Sequence, residues 1–119
     1  MGTVLFVCAH GAYRSRLAAA FFNAARPAGW RATSAGVEPQ ETMSQSAAGL
    51  VRGTPAEPHL DLVAPRTIAA AGRADRTISI DCDVPGAERW SLASQEVGPE
   101  QRDEIRAQVE RLATELSAG

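Results

Sequence analysis

Lysine is absent from this sequence. All 12 basic residues are arginine, set against 14 acidic residues for a formal net charge of −2. That balance leaves no basic face of the kind that neutralises a nucleic-acid backbone, so no nucleic-acid partner is expected. Aromatic residues are scarce, at 5% of the chain, and a core has to be built mainly from Ala, Val, Leu and Ile. Two cysteines are too few for a disulfide scaffold, which points to reduced thiols and a cytoplasmic setting. No Cys/His cluster has zinc spacing, so neither a metal nor a cofactor is expected. No apolar run approaches the ~20 residues that span a bilayer. The opening Met1-Gly2-Thr3 has no basic segment or cleavage pattern, so it does not read as a signal peptide, and no membrane partner is expected. Internal repeats and low-complexity tracts are missing as well. With 119 residues, 45% of them apolar, the chain has enough for one core, and residues 1–119 read as one domain.

What is present alternates between strand and helix patterns. Thr3-Val4-Leu5-Phe6-Val7 is a continuous apolar run, as in a strand buried on both faces of a parallel sheet. An alanine-rich helix is expected from Ser15 to about Ala25, ended by Pro27 and Gly29. Trp30 to Ser34 reads as a second strand closed by Ala35-Gly36. Ser44 to Arg52 and Ala64 to Ala71 read as short helices, and residues 54–63 stay undetermined. Arg76 to Ile80 is strand-like. Residues 81–98 read as a long loop with a brief strand near Arg89-Trp90. Gly98 and Pro99 suit the cap and first position of a last helix, where Ile105, Val109, Leu112 and Leu116 repeat on one face. Such alternation implies parallel pairing with helices on the sheet, and sites beyond the carboxyl ends of the strands.

Cys8 stands at such an end. The segment Cys8-Ala9-His10-Gly11-Ala12-Tyr13-Arg14-Ser15 places an arginine six positions after a cysteine, close enough to be joined by one tight loop. Main-chain N–H groups of that loop can converge as an anion nest, helped by the free N–H groups of the helix that follows. Arg14 can grip two oxygens of a tetrahedral anion with its planar fork. The same positive field favours a thiolate at Cys8, the form that attacks phosphorus or arsenic, and Ser15 can donate a hydrogen bond to it. Gly11 supplies a left-handed turn without steric cost. The alternative is an inert buried cysteine ending a strand.

These residues resemble the low-molecular-weight protein tyrosine phosphatase superfamily, and in particular its arsenate-reductase-like branch. The resemblance runs through Val4-Leu5-Phe6-Val7-Cys8, Arg14-Ser15 and the helix after them, then Thr33-Ser34-Ala35-Gly36, Ile78 to Trp90 and Arg102-Asp103-Glu104-Ile105. It implies an α/β three-layer sandwich around a four-stranded parallel sheet in the flavodoxin-like order 2-1-3-4. It implies Cys8 as nucleophile, Arg14 as the anion-binding arginine and Ser15 as the thiolate's partner, with Ala9, His10, Gly11, Ala12 and Tyr13 around the substrate. The chain departs from the pattern at three places. Gly11 stands where the family usually has an Asn that holds the loop in shape. Trp90-Ser91-Leu92-Ala93-Ser94-Gln95 lacks the Asp-Pro pair that carries the general acid, and Ser94 falls in the acid's place. The stretch from Asp81 to Trp90 is shorter than in most members. General acid help is worth about 10²–10⁴-fold, and a phenolate leaving group is what needs it. Asp81, Asp83 and Glu96 are the acids in the region that offer a substitute.

Cys82, after the Ile78-Ser79-Ile80 strand, falls at the same rim as Cys8, and relatives on the reductase branch carry a cysteine at a similar place. It reads either as a thiol that resolves a Cys8–arsenic adduct into a disulfide or as an ordinary strand-end cysteine. His10 reads as loop packing or as an anion contact, Tyr13 as pocket wall or helix cover, and Trp90 as pocket wall or core. Three functions follow. One is a thiol-linked arsenate reductase drawing on thioredoxin or a low-molecular-weight thiol. The second is a phosphatase of phosphotyrosine or another phosphomonoester. The third is a phosphate-binding module without turnover.

Overall fold

The structure is a computed structural model that describes residues 2–25 and 27–118. Four strands, β1 (Gly2–Cys8), β2 (Trp30–Gly36), β3 (Arg76–Ile80) and β4 (Glu88–Trp90), form one sheet in the order β2-β1-β3-β4, all pairs parallel. The expected strand order and pairing are therefore found. The helices are α1 (Arg14–Ala25), α2 (Gln45–Val51), α3 (Ile68–Ala71) and α4 (Pro99–Ala118), with a 3₁₀ turn at Glu57–His59 in the stretch that the sequence left open.

β1 lies between β2 and β3, which is why its sequence is apolar without alternation. Val4 and Phe6 face the larger core with Leu17, Phe22, Ile78, Ile105 and Val109. Leu5 and Val7 face a smaller cluster with Ala35, Ile68 and Ala71. The larger core has few aromatics and centres them on one residue. The Phe6 ring lies 6.0 Å from Phe22 and 5.7 Å from Trp90, within the range of favourable aromatic pairs. α1 is buried from Ser15 to Phe22, so small alanines are needed for it to sit between sheet and α4. α4 begins as expected, with the Gly98 carbonyl accepting from Arg102 N at 3.0 Å, and buries Ile105, Val109 and Leu112.

One helix is shorter than expected: α3 spans Ile68–Ala71, not residues 64–71. Residues 66 and 67 are held by the sheet instead. Gly36 N donates to the Arg66 carbonyl at 2.9 Å and Gly36 bridges Thr67, while the Thr67 hydroxyl caps the remaining turn by accepting from Ala70 N at 3.0 Å. Pro65 also disfavours helix at the residue before it.

β2 is an edge strand, and α1 covers its open side. The Asn23 amide both donates to Ala32 O at 3.1 Å and accepts from Ala32 N at 2.9 Å, taking up groups that invite pairing with another chain. Asn23→Ala is expected to cost about 1–2 kcal/mol through these two bonds, read as a lower urea midpoint with an unchanged slope. Among the described residues no helix is long and apolar enough to cross a membrane.

Candidate active site at the end of the first strand

The register aligns Cys8 with Gly36 on β2, and the chain leaves β1 there into the loop 9–13. What shapes this loop is the fate of its carbonyls. Cys8 O accepts from Val37 N at 3.1 Å, Ala9 O from Glu38 N at 2.8 Å and His10 O from Gln40 N at 3.2 Å. Ala12 O accepts from Ser44 N at 3.0 Å and Tyr13 O from Leu17 N at 2.9 Å. Gly11 O accepts from Arg16, through Nε at 3.3 Å and Nη2 at 3.1 Å. Every carbonyl from 8 to 13 is thus engaged on the outside. A trans peptide holds its N–H antiparallel to its C=O, and no peptide here is cis, so the N–H groups that follow are turned the other way. Among the described residues no protein acceptor takes the N–H groups of 9–13. Unspent amides of this kind are what an anion nest requires.

Gly11 and Gly36 let the loop lie on the sheet. Gly11 has φ 64°, and a Cβ built on it would stand 2.7 Å from Gly36 N. The loop then runs into α1, whose first residue is Arg14. The Cys8 sulfur is buried and meets α1 twice: Ser15 Oγ lies at 3.1 Å and Ser15 N donates at 3.4 Å.

A cavity of about 230 Å³ opens over the loop, lined by Cys8, Ala9, His10, Ala12, Tyr13, Arg14, Gln40, Ser44 and Val97. It is smaller than the ~300–1,000 Å³ usual for organic ligands. No Asp or Glu lines it. Gln40, Ser44 and Val97 were not anticipated, because only the fold returns the 37–44 segment and the loop before α4 to this rim. His10 is exposed and its Nδ1 donates to Glu38 O at 3.2 Å. Tyr13 packs with the core as well as lining the cavity. Burial pushes its phenol up, moderated by the Gly98 main chain, Arg14 and Arg102.

Trp90 and Cys82 lie elsewhere. Trp90 is set against Phe6 in the core and does not line the cavity, because its strand β4 faces it towards α1 and α4. Cys82 packs with Leu5, Val7 and Ala35, its thiol 3.6 Å from Val7 O, and both cysteines are free thiols. Burial, then the charge of Cys8, pushes the Cys82 thiol up. Of the acids named from sequence, Asp81 comes near the loop. Its carboxylate is 3.8 Å from Arg14 Nε and accepts from Leu92 N at 3.0 Å and Gln95 Nε2 at 3.3 Å, on a backbone with φ 55°. Ser94 is drawn away, its N–H donating to Glu104 at 2.9 Å and its carbonyl accepting from Gln101 at 2.9 Å.

No protein-family model and no curated protein sequence matches the chain. Solved structures do. An arsenate reductase from Archaeoglobus fulgidus DSM 4304 is 28% identical over 98% of this chain and 99% of that one, with a TM-score of 0.69. In sequence and fold the chain is similar to solved arsenate reductases and low-molecular-weight phosphatases, as its resemblance to that superfamily implied. Two further structures, both under 25% identical, share the fold. One is a thioredoxin-dependent arsenate reductase from Corynebacterium glutamicum (22% identity, 99% of this chain and 63% of that one, TM-score 0.75). The other is an arginine phosphatase from Geobacillus stearothermophilus (20% identity, 99% and 94%, TM-score 0.75). In this chain the loop is closed by Arg16 on the Gly11 carbonyl, and Ser94 is tied to α4.

Proposed function

We propose that this chain, acting as one domain, is a cysteine-dependent enzyme of the thiol-linked arsenate reductase type. The observation that carries the reading is the ring of outward-bound carbonyls around Cys8, which leaves the amides of residues 9–13 for a tetrahedral oxyanion. Arg14 adds a guanidinium at the cavity wall, and the Ser15 hydroxyl and N–H steady a thiolate at Cys8. The thiolate attacks arsenic, an As–O bond breaks and the oxygen leaves as water. A second thiol then attacks the Cys8 sulfur. An S–S bond forms as the S–As bond breaks, the electron pair stays on arsenic, and arsenate leaves as arsenite.

The second thiol is better supplied from outside. Cys82 is packed on the other side of β1 from Phe6, and burial and the charge of Cys8 push its thiol up, whereas exchange needs a thiolate. Thioredoxin or a low-molecular-weight thiol is the partner that this chemistry calls for. No Asp or Glu lines the cavity to protonate an ester's leaving group, whereas the oxygen lost from arsenate already carries one proton as a hydroxyl and takes its second from solvent as it leaves as water, which favours reduction over hydrolysis. The phosphatase reading rests on Asp81, which reaches Arg14.

Purified protein given arsenate, NADPH and a thioredoxin or low-molecular-weight thiol system is expected to consume NADPH in proportion to arsenate. Failure with every thiol would remove the reductase reading. Release of nitrophenol from nitrophenyl phosphate would then establish the phosphatase, and phosphate binding with neither activity would leave a binding module.

A further inference from the structure

Arg16 is the largest side chain in the protein's fully buried interior, 1% exposed. Arginine is rarely found there without a carboxylate partner, yet this guanidinium is bonded only to main-chain carbonyls. Nε and Nη2 both reach Gly11 O, and Nη1 reaches Asp61 O at 2.6 Å and Val63 O at 2.7 Å. The 61–63 segment is itself fixed, since Asp61 pairs with Arg66 at 2.7 Å and Arg66 donates to Ser34 O at 2.9 Å. Burial, the largest single influence, would raise the Asp61 carboxyl, but the Arg66 hydrogen bond, the Val63 N–H and the charges of Arg66 and Arg16 together hold it below the usual range.

Of the six carbonyls that ring Cys8, five are held by main-chain N–H groups, and Gly11 O is the one held by a side chain. We propose that Arg16 is a positioning residue. By clamping the Gly11 carbonyl to the 61–63 segment it turns the 11–12 peptide so that Ala12 N–H faces the bound oxyanion, and it places a second positive charge behind the loop. The inference rests on the oxyanion reading of the loop. Burial pushes the guanidinium below its ordinary value while Asp61 pulls it back, and arginine stays charged throughout.

The test is a titration of ¹⁵N-labelled protein with inorganic phosphate. In the wild type the amides of residues 9–13, Ala12 among them, are expected to shift as phosphate binds. In Arg16→Met, with the fold checked by the remaining spectrum, the Ala12 response should be lost and the dissociation constant rise about tenfold or more. Arg16→Lys, which keeps the charge but not the fork, should recover part of the affinity and little of the Ala12 shift. If phosphate leaves the wild-type amides unmoved, the oxyanion reading falls and this inference with it. If the wild type responds and Arg16→Met binds phosphate as tightly with the Ala12 shift intact, Arg16 alone is overturned. Should both variants unfold, the wild type still decides: a scalar coupling across the Arg16 Nε to Gly11 carbonyl bond is expected, and its absence overturns the clamp.

Discussion

Cys8→Ala is expected to lower oxyanion turnover by about 10³–10⁶-fold, the range for loss of a covalent nucleophile, while leaving the fold and phosphate binding in place. The chemistry has no substitute for that sulfur within the cavity. His10 and Ser44 line it, but the exposed His10 ring is bonded to Glu38 O and the Ser44 hydroxyl caps α2. Cys82 packs with Leu5 and Val7. Binding should survive because the amides are oriented by what their neighbouring carbonyls bond to, and none of those partners is the sulfur. Turnover with arsenate and with nitrophenyl phosphate, each against NADPH-free and thiol-free controls, measures the loss, and phosphate titration measures what remains. Activity within tenfold of the wild type would contradict a covalent role for Cys8.

Gly36→Ala is the second change with a large expected effect, and it acts without touching the cavity. The added methyl would stand 2.5 Å from Gly11 N, 2.5 Å from His10 C and 2.9 Å from His10 O. These are main-chain atoms, so no side chain can swing aside. Gly36 cannot retreat either, because it bridges Thr67 and its N–H donates to Arg66. The loop must lift off the sheet, which strains the bonds from Val37, Glu38 and Gln40 that turn its carbonyls outward. Stability should fall by about 3 kcal/mol, the upper part of the usual cost of overpacking, and phosphate affinity should fall with it. Gly49→Ala is the control. It lies within α2 with nothing within 4 Å of an added Cβ, and should stabilise by about 0.5–1 kcal/mol. Urea denaturation of both variants checks the pair, and a Gly36→Ala protein as stable as the wild type would mean that the loop and β2 are not in contact.

The chain order of elements was legible because each carries its period locally: the unbroken Val4 to Val7 run, the alanines of α1, the Ile105-Val109-Leu112 stripe of α4. The start of α3 differs from the expected one because Arg66 and Thr67 are claimed by Gly36, a partner some 30 residues away in sequence that no local pattern reveals. Trp90 was ambiguous for a like reason, since an aromatic on a three-residue strand packs where the sheet puts it.

In the candidate site, residue types were decided by sequence and directions by the fold. A cysteine, five residues and an Arg-Ser pair between a buried strand and a helix are local facts, and they are what the proposed chemistry draws on. Whether the amides of residues 9–13 face inward depends on carbonyl partners at residues 16, 37, 38, 40 and 44, which only the packed chain brings into place. A hydrogen bond between distant segments has no signature in either one alone, and that is why Arg16 reads as one more helix residue until the structure shows its guanidinium on the Gly11 carbonyl.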